Sequence, residues 1–126
     1  MKIPIHLNNL KIIFSFEGVK NKFDIGNAFD NSILNVDIQL FYRNTVLNIS
    51  PTITVNDIKL IYDGLLNNNL LFTDIDECLT LQILDYTIKI KYNYLNFLVN
   101  ISDTWDYTIL KSDLDELLNF YYFLSN

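Results

Sequence analysis

Very few side chains in this sequence are suited to catalysis, and those few are far apart. The 126 residues include one His, His6, and one Cys, Cys78. A nucleophilic Cys needs a base and an orienting group, and a zinc site needs several His or Cys ligands at short spacing. We therefore interpret His6 and Cys78 as structural residues on strands, and we predict a protein without enzymatic activity, metal or cofactor.

The densest group of carboxylates is Asp74, Asp76 and Glu77. Alternation along a strand would place Asp74 and Asp76 on one face, where two carboxylates could bind a divalent cation. A calcium loop needs a glycine turn and an ordered series of oxygen ligands, and a paired-carboxylate hydrolase needs a substrate cleft. Neither accompanies these residues, so we expect a solvated turn or a charged contact with another protein.

The overall charge restricts the kind of partner. Nine Lys and Arg residues stand against fifteen Asp and Glu residues, which gives a formal net charge of −6 at pH 7. The cations are scattered and form no basic run, so we expect neither nucleic acid nor an anionic membrane as a partner. An acidic surface favours a cationic protein, whose approach it would accelerate. The alternative is that the charge only keeps a small domain soluble.

Two features favour the cytoplasm as the location. A single Cys allows no disulfide within the chain, which fits a reducing compartment. The first nine residues, MKIPIHLNN, have one positive charge but interrupt their apolar run with Pro, His and Asn, which is atypical of a signal peptide. No segment has the length of a membrane span.

Half of the residues are hydrophobic, so the chain has enough apolar surface to fold as a single domain over residues 1–126. Strict alternation predicts a strand at 34–40 and a hairpin of strands at 79–83 and 88–92 joined through residues 84–86. Further strands are predicted at 10–17, 45–49, 95–101 and 105–109. The strand at 95–101 is apolar on both faces, which favours a central position.

Two segments change to helical spacing. Thr54 and Asp57 are typical of the start of a helix, which is predicted at about 55–68, and Ser112 is the predicted cap of a second helix at about 113–124. The predicted fold is α+β: a single curved antiparallel sheet of about six to seven strands with both helices packed on one face. Residues 20–31 show no period and are predicted to form a long loop suited to binding.

Aromatic residues are concentrated near the C-terminus, and most are predicted to lie in the core. Phe120 and Phe123 cannot both lie at the centre of the apolar stripe of the second helix, because they are offset from its other members. Part of this end is therefore also a candidate interface.

Several motifs between residue 29 and the C-terminus match a known pattern. Segment 29–36, FDNSILNV, is similar to a Trp-Asp-x-Asn-Trp-Leu entry into an alternating strand. Segment 47–51, LNISP, leads into 54–58, TVNDI, which is similar to a Leu-Thr-x-x-Glu-Leu helix start. Phe72 with 77–79, ECL, is similar to a Phe-x-Glu-Pro-x-Leu strand entry. In these motifs the chain resembles the WapI-type family of small bacterial immunity proteins, which occur beside polymorphic and contact-dependent toxins.

The chain has Phe29, Ile33 and Cys78 where the family has two Trp residues and a Pro. The resemblance implies a non-enzymatic inhibitor that binds a cognate toxin domain in the cytoplasm and occludes its active site or substrate groove. Toxin nucleases are commonly basic, and an acidic protein can mimic the phosphates that they bind. The candidate contact residues are seven carboxylates and one aromatic anchor: Asp24, Asp30, Asp74, Asp76, Glu77, Asp103, Asp106 and Trp105.

The main alternative is an acidic interaction or regulatory module, for which a phage is one candidate source, that forms a homodimer through an apolar sheet face or edge. Its basis is the positive mean hydropathy of +0.17 in a short chain. An enzyme or small-ligand binder ranks last, because it would need a concave polar pocket that one His and scattered acids do not supply.

Overall fold

The fold is α+β and combines eight strands with two helices in the parts of the chain that the structure describes. The computed structural model describes residues 1–21, 32–94, 97–105 and 107–125. In chain order the elements are β1 (Lys2–His6), β2 (Leu10–Asn21), β3 (Ile33–Tyr42), β4 (Thr45–Ile49), α1 (Val55–Asn67), β5 (Asn69–Thr73), β6 (Leu79–Leu84), β7 (Thr87–Tyr94), β8 (Phe97–Thr104) and α2 (Tyr107–Ser125).

The strands form two antiparallel sheets of four strands each, in the orders β1-β2-β3-β4 and β5-β6-β7-β8. The predicted single sheet of six to seven strands is therefore wrong. Helix α1 lies between β4 and β5 in the chain, so the first sheet is complete before the second begins. The helices contact each other and the first strand of each sheet, β1 and β5, which are edge strands.

The apolar faces of the two sheets pack against each other. Ile12 and Ile38 from the first sheet line the same small apolar cavity as Leu79 and Ile90 from the second. This arrangement follows from the alternation, because each strand has one apolar face that must be removed from water. Strand β8 is an edge strand and Leu98 is 56% exposed, so the prediction of a central strand covered on both faces is wrong.

The two halves of the chain repeat one order of elements, four strands followed by a helix, and they exchange contacts reciprocally. Helix α1 follows the first sheet and contacts β5, whereas α2 follows the second sheet and contacts β1. Thr52 accepts a 3.1 Å backbone hydrogen bond from Ile75 in the β5–β6 turn, and Thr104 accepts one of 3.1 Å from Asn8 in the β1–β2 turn. Each half of the chain therefore accepts a hydrogen bond from the first turn between strands in the other half and holds that turn in place.

Helix α1 confirms the predicted start. The Thr54 hydroxyl accepts from the backbone N–H of Asp57, and the Asp57 carboxylate accepts from the backbone N–H of Thr54, which completes a capping box. The helix ends at Asn67, and Asn68 follows in the left-handed conformation with φ 56°. Asn tolerates this conformation better than most residues, which explains the stop.

Helix α2 begins at Tyr107, so the predicted strand at 105–109 is wrong and Ser112 lies inside the helix rather than capping it. β-branched residues in this segment favour a strand only weakly, and tertiary packing overrides such preferences. The helix buries Leu114, Leu117 and Phe120. Within the described residues, neither helix has the combination of length and apolar character needed to span a membrane.

Candidate protein-binding site

The structure separates the eight predicted contact residues into three groups. Asp24, Asp30 and Asp106 lie outside the described residues. Asp74, Asp103 and Trp105 are buried. Asp76 and Glu77 are exposed, and they lie side by side in the turn between β5 and β6. Only this last pair is available to a partner among the five that the structure describes.

Asp103 has a structural position, contrary to its expected place on the surface. It points inward from β8, is 6% exposed, and accepts hydrogen bonds from the backbone N–H groups of Asn9 at 2.8 Å and Leu10 at 2.9 Å. A buried carboxylate needs such donors to offset the loss of hydration. Both of its oxygens accept hydrogen bonds within the fold, so Asp103 is not part of a surface that a partner could contact.

Asp74 is also buried, and backbone N–H groups again offset its loss of hydration. It is therefore not part of a surface that a partner could contact. It is 3% exposed, and one carboxylate oxygen accepts from the backbone N–H groups of Cys78 at 2.8 Å and Leu79 at 2.9 Å. The other oxygen accepts from the backbone N–H of Thr52 at 3.1 Å. Asp74 therefore ties the β5–β6 turn both to itself and to the segment that leads into α1.

Trp105 is part of the core rather than an exposed anchor. Its side chain is 6% exposed, and its ring lies edge-on to the ring of Tyr86 with 6.2 Å between the centroids. The backbone N–H of Trp105 also donates to the carbonyl of Tyr86 at 3.2 Å. An aromatic side chain in this position stabilises the junction between β8 and α2 and has little surface left for a partner.

We call residues Ile75, Asp76 and Glu77 the acidic turn. Ile75 is 55% exposed between Asp74 and the two exposed carboxylates. The backbone N–H of Glu77 donates to the carbonyl of Asp74 at 3.0 Å, and the Thr52 hydroxyl donates to the carboxylate of Asp76. Together with the bonds to Asp74, these contacts fix the turn, so that its exposed side chains are held on an ordered backbone.

The first turn of α1 contains a further carboxylate, Asp57, whose pKa is affected by the buried Asp74. Burial raises the pKa of Asp57 above its ordinary value, and the charge of Asp74 raises it further, while hydrogen bonds from Thr54 act in the opposite direction. Asp57 therefore lies close enough to the buried Asp74 for the two negative charges to disfavour each other.

The His and Cys side chains do not form a catalytic pair with each other. His6 Nδ1 lies 3.0 Å from a carboxylate oxygen of Asp113, which also accepts from the backbone N–H of His6. Partial desolvation raises the pKa of the Cys78 thiol, and the charges of Asp74 and Asp76 raise it further. The protonated thiol is a weak nucleophile. Within the described ranges, no group of three or more His, Cys, Asp and Glu residues is placed to hold a metal.

Sequence reasoning identified Asp76 and Glu77 but missed Ile75. The available signal was an apolar side chain between two acids in a segment where the alternation of β5 stops. Lys89 and Lys91 lie in the predicted strand at 88–92, where alternation with Ile88, Ile90 and Tyr92 places both on the same outer face. No family model, curated protein or solved structure matches this chain.

Proposed function

We propose that this protein is an immunity protein that binds a cationic toxin domain in the cytoplasm and occludes its active site. The observation that carries the proposal is the acidic turn, which holds an exposed Ile75 beside Asp76 and Glu77 on a backbone fixed by Asp74. The resemblance to WapI-type immunity proteins supports the same function.

The order of the turn favours tight binding. A flexible loop loses conformational entropy when it docks, whereas a turn already held by hydrogen bonds loses less. Asp74 contributes bonds from three backbone N–H groups, on Thr52, Cys78 and Leu79. Because this carboxylate is buried, the bonds are protected from competing water, and the turn keeps its shape before the partner arrives.

The chemistry of the turn fits a basic partner. Ile75 supplies an apolar contact that can enter a pocket, and Asp76 and Glu77 supply charges that pair with Lys or Arg around it. The net charge of −6 would accelerate the encounter over a longer range. A nuclease groove that binds phosphates is one surface that such an arrangement can fill.

The experiment is co-expression of this protein with the C-terminal domain encoded next to its gene, with complex formation and growth as readouts. We expect a stoichiometric complex and rescue of growth. The double variant Asp76→Asn/Glu77→Gln and the single variant Ile75→Ser should each weaken the complex. A matched control is Asp85→Asn/Asp115→Asn, which removes two exposed charges elsewhere.

The control pair and the turn variants distinguish an effect of net charge from an effect of the acidic turn. Equal weakening by the control pair would assign the effect to net charge rather than to the acidic turn. A complex that is unchanged by the turn variants would reject this site, and the absence of both complex and rescue would reject the immunity function.

A second candidate, a homodimeric module, has one observation in its favour. Phe123 is 72% exposed and Met1 is 67% exposed, and both line a depression of about 300 Å³ between β1 and α2. An exposed aromatic residue beside a depression is typical of an interface. Sedimentation of the protein alone tests this function: a dimer that dissociates in Phe123→Ser would support it, and a monomer would reject it.

A further inference from the structure

The outer face of the second sheet has a charge opposite to that of the protein as a whole. Six polar side chains from β6, β7 and β8 line a depression of about 300 Å³ there, and we call this surface the lysine face. They are Thr80, Gln82, Lys89, Lys91, Asn100 and Ser102. No carboxylate is among them, although the chain contains fifteen Asp and Glu residues.

Strand pairing arranges these side chains in two rows. Gln82 and Ser102 flank Lys89 on the neighbouring strands, and Thr80 and Asn100 flank Lys91 in the same way. Neighbours within a row are about 5 Å apart, and the two rows are about 7 Å apart because they are separated by two residues along the strand. Each ammonium group therefore has a neutral hydrogen-bonding side chain on either side.

The two lysines have no partner within the described part of the chain. Lys89 and Lys91 make neither an ion pair nor a hydrogen bond there, whereas Lys59 lies 2.8 Å from Asp63. Two like charges on the same face of one strand repel each other, and an acidic protein has many carboxylates that could have been placed beside them. A ligand with two negative groups would relieve this repulsion.

We propose that the lysine face binds an acidic segment of a partner protein in an extended conformation. In such a segment, carboxylates two residues apart point to the same side and are separated by about 7 Å, which matches the spacing of the two rows. The carboxylates would pair with Lys89 and Lys91, and Gln82 and Asn100 would donate further hydrogen bonds from their side-chain amides.

The composition of the face favours a peptide over a nucleic acid strand. Proteins that hold single-stranded nucleic acid usually combine basic residues with aromatic platforms on which bases stack. None of the eight residues that line the depression is aromatic, since the two beside the six polar ones are Ile90 and Ile101. The proposal is independent of the proposed function, since the acidic turn has the opposite charge and none of its residues lines this depression.

The test is a binding titration with a short acetylated peptide in which Glu and Thr alternate. We expect measurable, salt-sensitive binding, and we expect Lys89→Gln/Lys91→Gln to weaken it about tenfold, the effect of two modest ion pairs. The matched control is Lys2→Gln/Lys111→Gln, which removes two exposed positive charges elsewhere and should leave the affinity nearly unchanged. A peptide with the same composition but with its Glu residues consecutive should bind more weakly.

Three results would overturn the proposal. The first is no binding of the alternating peptide to the folded protein. The second is an equal loss of affinity in Lys89→Gln/Lys91→Gln and in Lys2→Gln/Lys111→Gln. The third is tighter binding of a single-stranded oligonucleotide than of the peptide at the same salt concentration. Each is distinct from failure of the proposed function, which is measured with the toxin domain and with variants of the acidic turn. The fluorescence of Trp105 confirms that each variant is folded, because this Trp is the only one in the chain and is buried.

Discussion

Asp103 Oδ2 lies 2.9 Å from the backbone nitrogen of Leu10, and this contact joins the last strand of the second sheet to the first residue of β2 in the first sheet. The two residues are 93 positions apart in the sequence. The same oxygen accepts from the backbone N–H of Asn9. One carboxylate therefore satisfies two backbone donors at the start of β2 and connects the two halves of the chain.

We predict that Asp103→Ala lowers the free energy of unfolding by about 3 kcal/mol, because it leaves buried N–H groups without an acceptor. Urea unfolding followed by Trp105 fluorescence measures this change. Asp115→Ala, which removes an exposed carboxylate from helix α2, is the control and should change stability by only about 0.5 kcal/mol. Equal effects of the two substitutions would contradict the structural role of Asp103.

The second prediction separates the buried acid of the β5–β6 connection from its exposed neighbour. Asp74→Ala should lower the free energy of unfolding by about 3 kcal/mol, since three backbone N–H groups lose their acceptor. Asp76→Ala removes only an exposed contact with the Thr52 hydroxyl and should cost about 0.5 kcal/mol. The same unfolding assay measures both, and a reversed order would show that Asp74 does not hold the turn.

The third prediction concerns the close approach of α1 to β5. A methyl group added at Gly64 would lie 2.5 Å from Cβ of Leu70, an atom that cannot move without its backbone. Overpacking costs about 2 kcal/mol, which exceeds the gain of about 1 kcal/mol that Ala normally brings to a helix. Gly64→Ala should therefore lower the melting temperature. A higher melting temperature would show that α1 can shift away from β5 at little energetic cost.

The fourth prediction follows from the raised pKa of Asp57, whose ordinary value is 3.8. The folded protein binds this proton more tightly than the unfolded chain does, so the ionised carboxylate reduces stability at neutral pH and the reduction disappears as the pH falls toward 3.8. The stability of the parent protein relative to Asp57→Asn should therefore rise as the pH is lowered from 7. Urea unfolding across this range measures the difference.

A control for this titration keeps the helix cap without changing an ionisable group. Thr54→Ser retains the hydroxyl that accepts from Asp57, so its stability relative to the parent should be the same at each pH. A pH-independent difference between the parent and Asp57→Asn would contradict the assigned effect of burial on Asp57.

Local patterns in the sequence determined which segments form most strands and how α1 begins and ends. The alternation at 79–83 and 88–92 predicted the hairpin. The structure forms it from Leu79–Leu84 and Thr87–Tyr94 and closes it with only Asp85 and Tyr86, at φ 52° and 58°, as a tight two-residue turn requires. Alternation also placed Lys89 and Lys91 on the outer side of β7. These features depend on neighbours along the chain, so a single sequence contains them.

Only the tertiary structure decided how the strands divide into two sheets and which acids are buried. In the sequence Asp74 and Asp103 are indistinguishable from Asp76, because nothing near a carboxylate in the chain shows whether distant N–H groups will surround it. The donors to Asp103 are Asn9 in the β1–β2 turn and Leu10 at the start of β2, in the other half of the chain, and burial of the carboxylate is tolerated because they offset its loss of hydration. The start of α2 was missed for a related reason, since long-range packing overrode the local strand preference at 105–109.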